Sequence, residues 1–284
     1  MQPIHGPDDF AAAFGAPAAT IDRLTLYERL LRQWQKAVNL VAPSTLEHVW
    51  HRHFADSAQI VSLSPPDVRS WIDLGSGGGF PGLVAAIMMA GGAPSARPSS
   101  IPPQTPIRRG EGSAEGQEQS PTSPGQDAER RHAEAGASVA VPHSDPLPAS
   151  GERGLTPIHF TLIESDVRKS AFLREVVRQT GLMQTGITVD ILSKRAESAR
   201  VSVNESLPRV VSARALAPLD RLLELAAPYS LPGTTLLFLK GKEADREVQL
   251  AESRWKFQVA LVPSVTDRHG RIAVITNLER KAKD

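Results

Sequence analysis

The stretch 71–82, W-I-D-L-G-S-G-G-G-F-P-G, holds the residues best suited to chemistry. Trp71-Ile72 is a short apolar run ending at Asp73. Gly75, Gly77 and Gly79 alternate, and Phe80-Pro81-Gly82 opens an apolar helix over 83–90. Strand, glycine turn and helix form the layout of a nucleotide-binding βα unit. Glycine enters positive φ freely, and it lets a ligand lie against the main chain where a Cβ would block it. Pro81 suits a first helical turn, where its missing N–H costs nothing. A surface turn without a ligand is the simpler explanation. Four glycines in the five residues 75–79 would then add unfolded-state entropy with no compensating contact.

Two ligands compete for this turn. Gly77-x-Gly79-x-x-Gly82 matches the dinucleotide fingerprint of NAD and FAD folds. Asp73-x-Gly75-x-Gly77-x-Gly79 matches equally well and resembles the first motif of class I methyltransferases, which bind S-adenosylmethionine. A dinucleotide brings a pyrophosphate that sits on a helix N-terminus. S-adenosylmethionine brings no phosphate but an ammonium and a sulfonium, so an acid at the strand end is useful. Asp73 supplies one, which favours S-adenosylmethionine.

The elements that position these residues follow along the chain. Residues 1–20 show little periodicity and read as a flexible leader. Ile21, Leu24, Tyr27, Leu30, Leu31, Trp34 and Val38 recur at helical spacing, and a second helix is expected over 45–61, so 21–66 is an N-terminal helical region. His48, His51 and His53 lie close together. Helical geometry does not gather all three on one face and no cysteine helps, so a polar helix face is expected and no metal. Residues 67–284 read as the main domain, interrupted at about 91–157 by a proline-, serine- and glycine-rich stretch too poor in apolar clusters to order itself. Strands are expected over 159–163, 187–192, 209–213, 234–239, 257–262 and 271–276, with helices between most of them. The last link, 267–271, is too short for a crossover, which makes the final pair antiparallel. The tail 278–284 reads as frayed. The result is a doubly wound α/β sheet, in which ligands bind outside the carboxyl ends of the strands. Asp73, the glycines, Glu164, Ala196-Glu197 and Arg214 all fall at such ends. With the insertion removed, Glu164 takes the place of the acid that holds a ribose hydroxyl in nucleotide-binding folds.

Composition narrows the class. The 284 residues carry a formal net charge of +1 and no cysteine. That excludes disulfides, thiolate catalysis and zinc–thiolate sites. No global basic field announces nucleic acid, so any RNA contact needs a local patch. Candidates are Arg32, Lys36, His51, Arg168 and Lys169, with Arg52, His53, Lys240 and Lys242 preferred because they should sit near the mouth of the site. No apolar run is long enough to span a membrane. A cytoplasmic monomer without membrane contact is expected.

These residues together resemble the ribosomal RNA small-subunit methyltransferase G family, also called glucose-inhibited division protein B. The likeness rests on W-Q-K-A-V-N-L at 34–40, R-H-F-A-D-S at 52–57, I-D-L-G-S-G-G-G-F-P-G at 72–82, S-A-R-A-L-A at 212–217 and L-K-G at 239–241. It implies a class I, Rossmann-like, seven-stranded domain with a helical N-terminal addition. It also implies an enzyme that uses S-adenosylmethionine to make 7-methylguanosine in 16S ribosomal RNA, free or in an assembling small subunit. Gly75, Phe80, Ala196, Glu197 and Arg214 take the family's cofactor positions; Asp73, Gly77, Gly79 and Glu164 join them from the reading above, and Arg214 is the candidate catalytic residue. The insertion departs from the family pattern. An NAD-dependent oxidoreductase and a non-catalytic RNA-binding scaffold are the rival expectations.

Overall fold

A computed structural model describes residues 2–92, 157–201 and 209–282. Helices α1 (Pro7–Phe14) and α2 (Ala18–Gln35) begin the chain. A run of 3-10 helix (Pro43–His48), π-helix (Trp50–Ala55), a turn of α-helix, α3 (Asp56–Ala58), and 3-10 helix (Val61–Leu63) follows. The strands are β1 (Ser70–Leu74), β2 (Ile158–Ile163), β3 (Ile187–Leu192), β4 (Arg209–Arg214), β5 (Thr234–Lys240), β6 (Trp255–Pro263) and β7 (Arg271–Arg280). Helices α4 (Gly82–Ala90), α5 (Val167–Gln179), α6 (Leu219–Ala226) and α7 (Ala244–Ala251) lie between them.

The strands form one sheet in the order β3-β2-β1-β4-β5-β7-β6. The first five are parallel, and β7 runs antiparallel between β5 and β6. This is the seven-stranded doubly wound sheet that the resemblance implies. Register explains why the candidate residues meet. Leu74 pairs with Ile163 on one side and Ala213 on the other, so the chain leaves β1, β2 and β4 at one level. Gly75, Glu164 and Arg214 therefore stand in a row at the switch point, where strand order reverses. One apolar layer buries α2, α4 and α5 against the sheet, and a second buries α6 and α7 on the other face.

Three expectations change. The leader is not loose over its whole length. Pro7 starts a helix, Gly15 ends it at φ 61°, and Phe10 and Phe14 bury one face of it. The Phe10 ring lies 5.6 Å from Trp50, edge to face. An i,i+4 aromatic pair among small residues is enough apolar surface to dock a two-turn helix. The helix expected over 45–61 occupies that span but is mostly 3-10 and π rather than α. A π turn is wider and re-aims its side chains, and such turns recur at functional sites. The tail pairs further than expected: β7 runs to Arg280, whose guanidinium sits 5.5 Å above the Trp255 ring. The expected insertion at about 91–157 falls almost wholly outside the described residues.

Candidate functional site

The carboxyl ends of β1, β2 and β4 and the turn Ala196–Ser198 enclose a cavity of ≈ 390 Å3. Gly75, Gly77, Phe80, Glu164, Ala196, Glu197, Arg214 and Leu40 line it. The side chain of Gln35 brings Leu40 there: its amide oxygen accepts from the N–H groups of Leu40 (3.0 Å) and Val41 (3.1 Å). Gly75 and Gly77 have φ of 65° and 56°, a left-handed backbone that glycine adopts without strain. The Tyr27 hydroxyl, buried in the core, donates to the Gly78 carbonyl and fixes the loop from below.

Glu164 decides what the cradle accepts. Its carboxylate takes the Gly77 N–H at 2.8 Å and the Asp166 N–H at 2.8 Å. That carboxylate keeps unused lone pairs for hydroxyl donors such as a ribose diol, the task of an acid at this strand end in nucleotide-binding folds. The cradle fits the ribose of a nucleoside.

Arg214 forms one wall. Its guanidinium donates to the Arg52 carbonyl (3.0 Å), the Asp56 carboxylate (3.0 Å) and His53 Nδ1 (2.7 Å), and it lies 5.0 Å above the Phe80 ring. Arginine has no acceptor, so Nδ1 must accept and the proton of His53 sits on Nε2. Nε2 then donates to Thr45 Oγ1 (2.8 Å), and Thr45 donates to the Ala42 carbonyl (2.7 Å). Burial first, then the charges of Arg214 and Arg52, hold the His53 pKa down at about 3. His53 is a neutral, oriented linker.

A second cavity, of ≈ 360 Å3, opens on the other side of Arg214 and Ala215, between the helical segment 45–59 and the β6–β7 loop. That loop is latched in place. Gln59 accepts from Val265 N (3.0 Å), Asp56 accepts from Thr266 Oγ1 (2.8 Å), and His51 Nε2 meets the Thr266 carbonyl at 3.0 Å. Ala215, shared by both cavities, is one of two described non-glycine residues at positive φ, 51°.

The family model for rRNA small subunit methyltransferase G matches residues 20–91 and 155–275. The chain belongs to this family. It is 38% identical to the ribosomal RNA small subunit methyltransferase G of Rhodospirillum centenum, covering 97% of this chain and 93% of the relative. It is 37% identical to that of Parvibaculum lavamentivorans, covering 95% and 89%. Among solved structures, the O-methyltransferase of Bacillus cereus in complex with SAH aligns with a TM-score of 0.45 at 11% identity, over 95% of this chain and 96% of that one. Membership makes this chain a methyltransferase, and the two halves of the match flank residues 92–154.

Gly75, Gly77, Phe80, Glu164, Ala196, Glu197 and Arg214 stand together around the first cavity as expected. Asp73 and Gly79 do not join them. Asp73 is fully buried beneath the cradle, where Ser212 Oγ donates to it at 2.6 Å and Trp71 Nε1 supports Ser212 at 2.9 Å. Burial outweighs these bonds and raises its pKa to about 6. It braces β1 against β4 and packs under Gly82, and it does not line the cavity. A Cβ on Gly79 would run into the Tyr27 hydroxyl and approach Leu83 and Leu173 at 3.1 Å, so that glycine makes room for the core. Gly82 is a glycine for the same kind of reason: a Cβ there would lie 2.5 Å from that of Asp73.

The proposed RNA contacts also divide. His53 is spent on Arg214, as above. Lys240 is partly buried in an ion pair with Glu247 at 2.6 Å and donates to the Ala217 carbonyl at 2.9 Å, so it ties the loop after β4 to α7. A phosphate contact needs a free cation, which neither provides. Arg52 stays half exposed, 3.8 Å from Asp267, and Lys242 is exposed. His51 bonds Ile4 N and Thr266, and among the described residues no three His, Cys, Asp or Glu side chains gather in a metal-binding group. None of the described helices is long and apolar enough to cross a membrane. Sequence reading singled out neither Tyr27 nor the Asp56–Gln59–Thr266 latch as part of the site. The one hydroxyl in an otherwise apolar stripe and the acid three residues past His53 are the available signals.

Proposed function

We propose that this methyltransferase uses S-adenosylmethionine to methylate N7 of a guanine in 16S ribosomal RNA, free or within an assembling small subunit, acting as a cytoplasmic monomer. The observation that carries the reading is the cavity at the strand ends with the Glu164 carboxylate seated in it beside Gly77, where it suits a ribose diol. Glu164 holds the ribose hydroxyls, the main chain from Gly75 to Phe80 and at Ala196-Glu197 lines the nucleoside, and Arg214 sets the wall toward the acceptor.

S-adenosylmethionine supplies a sulfonium methyl: as the guanine N7 lone pair forms the new C–N bond the S–CH3 bond breaks, sulfur leaves as a neutral thioether, and the positive charge passes to the purine. No proton is lost at N7, so the protein needs no general base. His53 fits that requirement, because both its nitrogens are engaged and it remains neutral. The chain's contribution is to hold the acceptor in line and to exclude water, which can remove several kcal/mol from the barrier.

Mass spectrometry of nucleosides from small-subunit RNA, incubated with protein and S-adenosylmethionine, tests this. A 7-methylguanosine peak that depends on both is expected. Unmodified RNA, together with tighter calorimetric binding of NADH than of S-adenosylmethionine, would overturn the reading.

A further inference from the structure

We propose that the second cavity, between residues 45–59 and the β6–β7 loop, receives the acceptor nucleotide base-first, with Arg214-Ala215 as the partition facing the methyl donor. The inference rests on the methyltransferase reading above and assigns the other half of the reaction to a place.

Three observations converge on it. First, position: Arg214 and Ala215 are the residues that line both cavities, so a donor on one side and an acceptor on the other meet only there. Arg214 is immobilised by three acceptors on separate residues. A wall held this way keeps two reactants aligned without moving itself. Second, size and rigidity: ≈ 360 Å3 accommodates a nucleoside, and the Gln59, Asp56 and His51 latches to residues 265–266 preform the opening.

Third, charge is graded from inside to outside. The inner cations are neutralised, Arg214 by Asp56 at 3.0 Å and Lys240 by Glu247 at 2.6 Å. Leu239 and Ile272 give a buried apolar floor. Toward solvent lie Arg52, half exposed and only loosely paired with Asp267 at 3.8 Å, and Arg271, whose guanidinium bonds the main-chain carbonyls of Arg268 and Gly270. A neutral, partly apolar interior with unspent positive charge at the mouth is complementary to a nucleotide whose flat base enters while its phosphates stay outside. Enzymes that modify a base take it out of its stack in this manner.

Gly241 gives a clean test. It lines this cavity and not the first, and a Cβ added there meets nothing within 4 Å. For Gly241→Trp we expect calorimetric affinity for S-adenosylhomocysteine within twofold of wild type, while KM for small-subunit RNA rises at least tenfold or transfer disappears. Arg271→Gln, which adds no bulk, should raise KM several-fold with kcat and S-adenosylhomocysteine affinity kept. Wild-type KM and kcat in both variants would overturn the assignment, and so would a folded Gly241→Trp that no longer binds S-adenosylhomocysteine, because the two cavities would then be one site. Wild-type protein that fails to bind S-adenosylhomocysteine at all would instead bring down the methyltransferase reading beneath it.

Discussion

Gly77 and Gly79 are separated by a single residue, both at positive φ, and should fail in opposite ways when changed to alanine. Either change places an L-residue in left-handed backbone, at a cost of about 1–2 kcal/mol. At Gly77, φ 56°, the added methyl group meets only the Gly75 carbonyl, at 3.8 Å, and projects into open space at a cavity-lining position. At Gly79, φ 95°, it collides with the Tyr27 hydroxyl and crowds Leu83 and Leu173. Tyr27 must then give up its bond to Gly78, and losing a buried hydrogen bond costs about 1–3 kcal/mol more. Gly79→Ala should therefore lose about 2–5 kcal/mol, or a Tm drop of about 4–20 °C for a domain of this size, against about 2–8 °C for Gly77→Ala. Calorimetric titration with S-adenosylmethionine should show the reverse order. Gly77→Ala should bind at least tenfold more weakly, about 1.4 kcal/mol, while Gly79→Ala, measured at 10 °C where it stays folded, loses less. Equal effects on both quantities, or a Gly77→Ala protein less stable than Gly79→Ala yet binding normally, would refute the division of the loop into a ligand side and a core side.

Three further outcomes are expected. His53 is held neutral down to about pH 3, whereas in the unfolded chain it charges near 6.5, so its contribution to stability is present above 6.5 and fades as pH falls toward 3, by about 1.4 kcal/mol per unit. His53→Gln cannot charge, and its denaturant midpoint should fall less than that of wild type between pH 6.5 and 4; the difference between the two proteins is the measurement, because Asp73 titrates oppositely in part of that range. Arg214→Ala should lower methyl transfer at least tenfold in a folded protein, and Arg214→Lys should not restore it, since an ammonium lacks the planar fork that reaches a carbonyl, an imidazole and a carboxylate together; unchanged transfer would remove Arg214 from the site. Phe10→Ala should cost about 3–5 kcal/mol in chemical denaturation, because Phe10 is fully buried against Phe14 and Trp50; a loss under 1 kcal/mol would mean that α1 is not docked.

Most of the sheet and one side of the cofactor cavity were legible in the sequence, and the reason is local. Gly75, Gly77, Glu164 and Arg214 each follow an apolar strand, and parallel strands in register deliver whatever follows them to one edge. What was not legible depends on partners far along the chain. Asp73 lies beneath the cavity rather than in its lining, held by Ser212, 139 residues away, and covered by Gly82. His53 and Lys240 look like surface cations until Arg214 and Glu247 are placed beside them. Gly79 looks like a cradle residue until Tyr27 is placed beneath it. The short helix α1 was missed because two phenylalanines in a run of alanine, glycine and proline give a weak periodic signal, and Trp50, which receives Phe10, lies forty residues later.

The fit of Gly82 over Asp73 carries a consequence for how this sequence can drift. Alanine at 82 is excluded while aspartate stands at 73, and a smaller residue at 73 would leave Ser212 without its acceptor and a void under the first turn of α4. Each single step is unfavourable while the paired step is less so, which ties the two positions into one epistatic unit. The last glycine of the dinucleotide-like spacing is thus retained by a buried side chain rather than by any nucleotide, and a pattern search that counts it as ligand evidence is reading the packing of the interior.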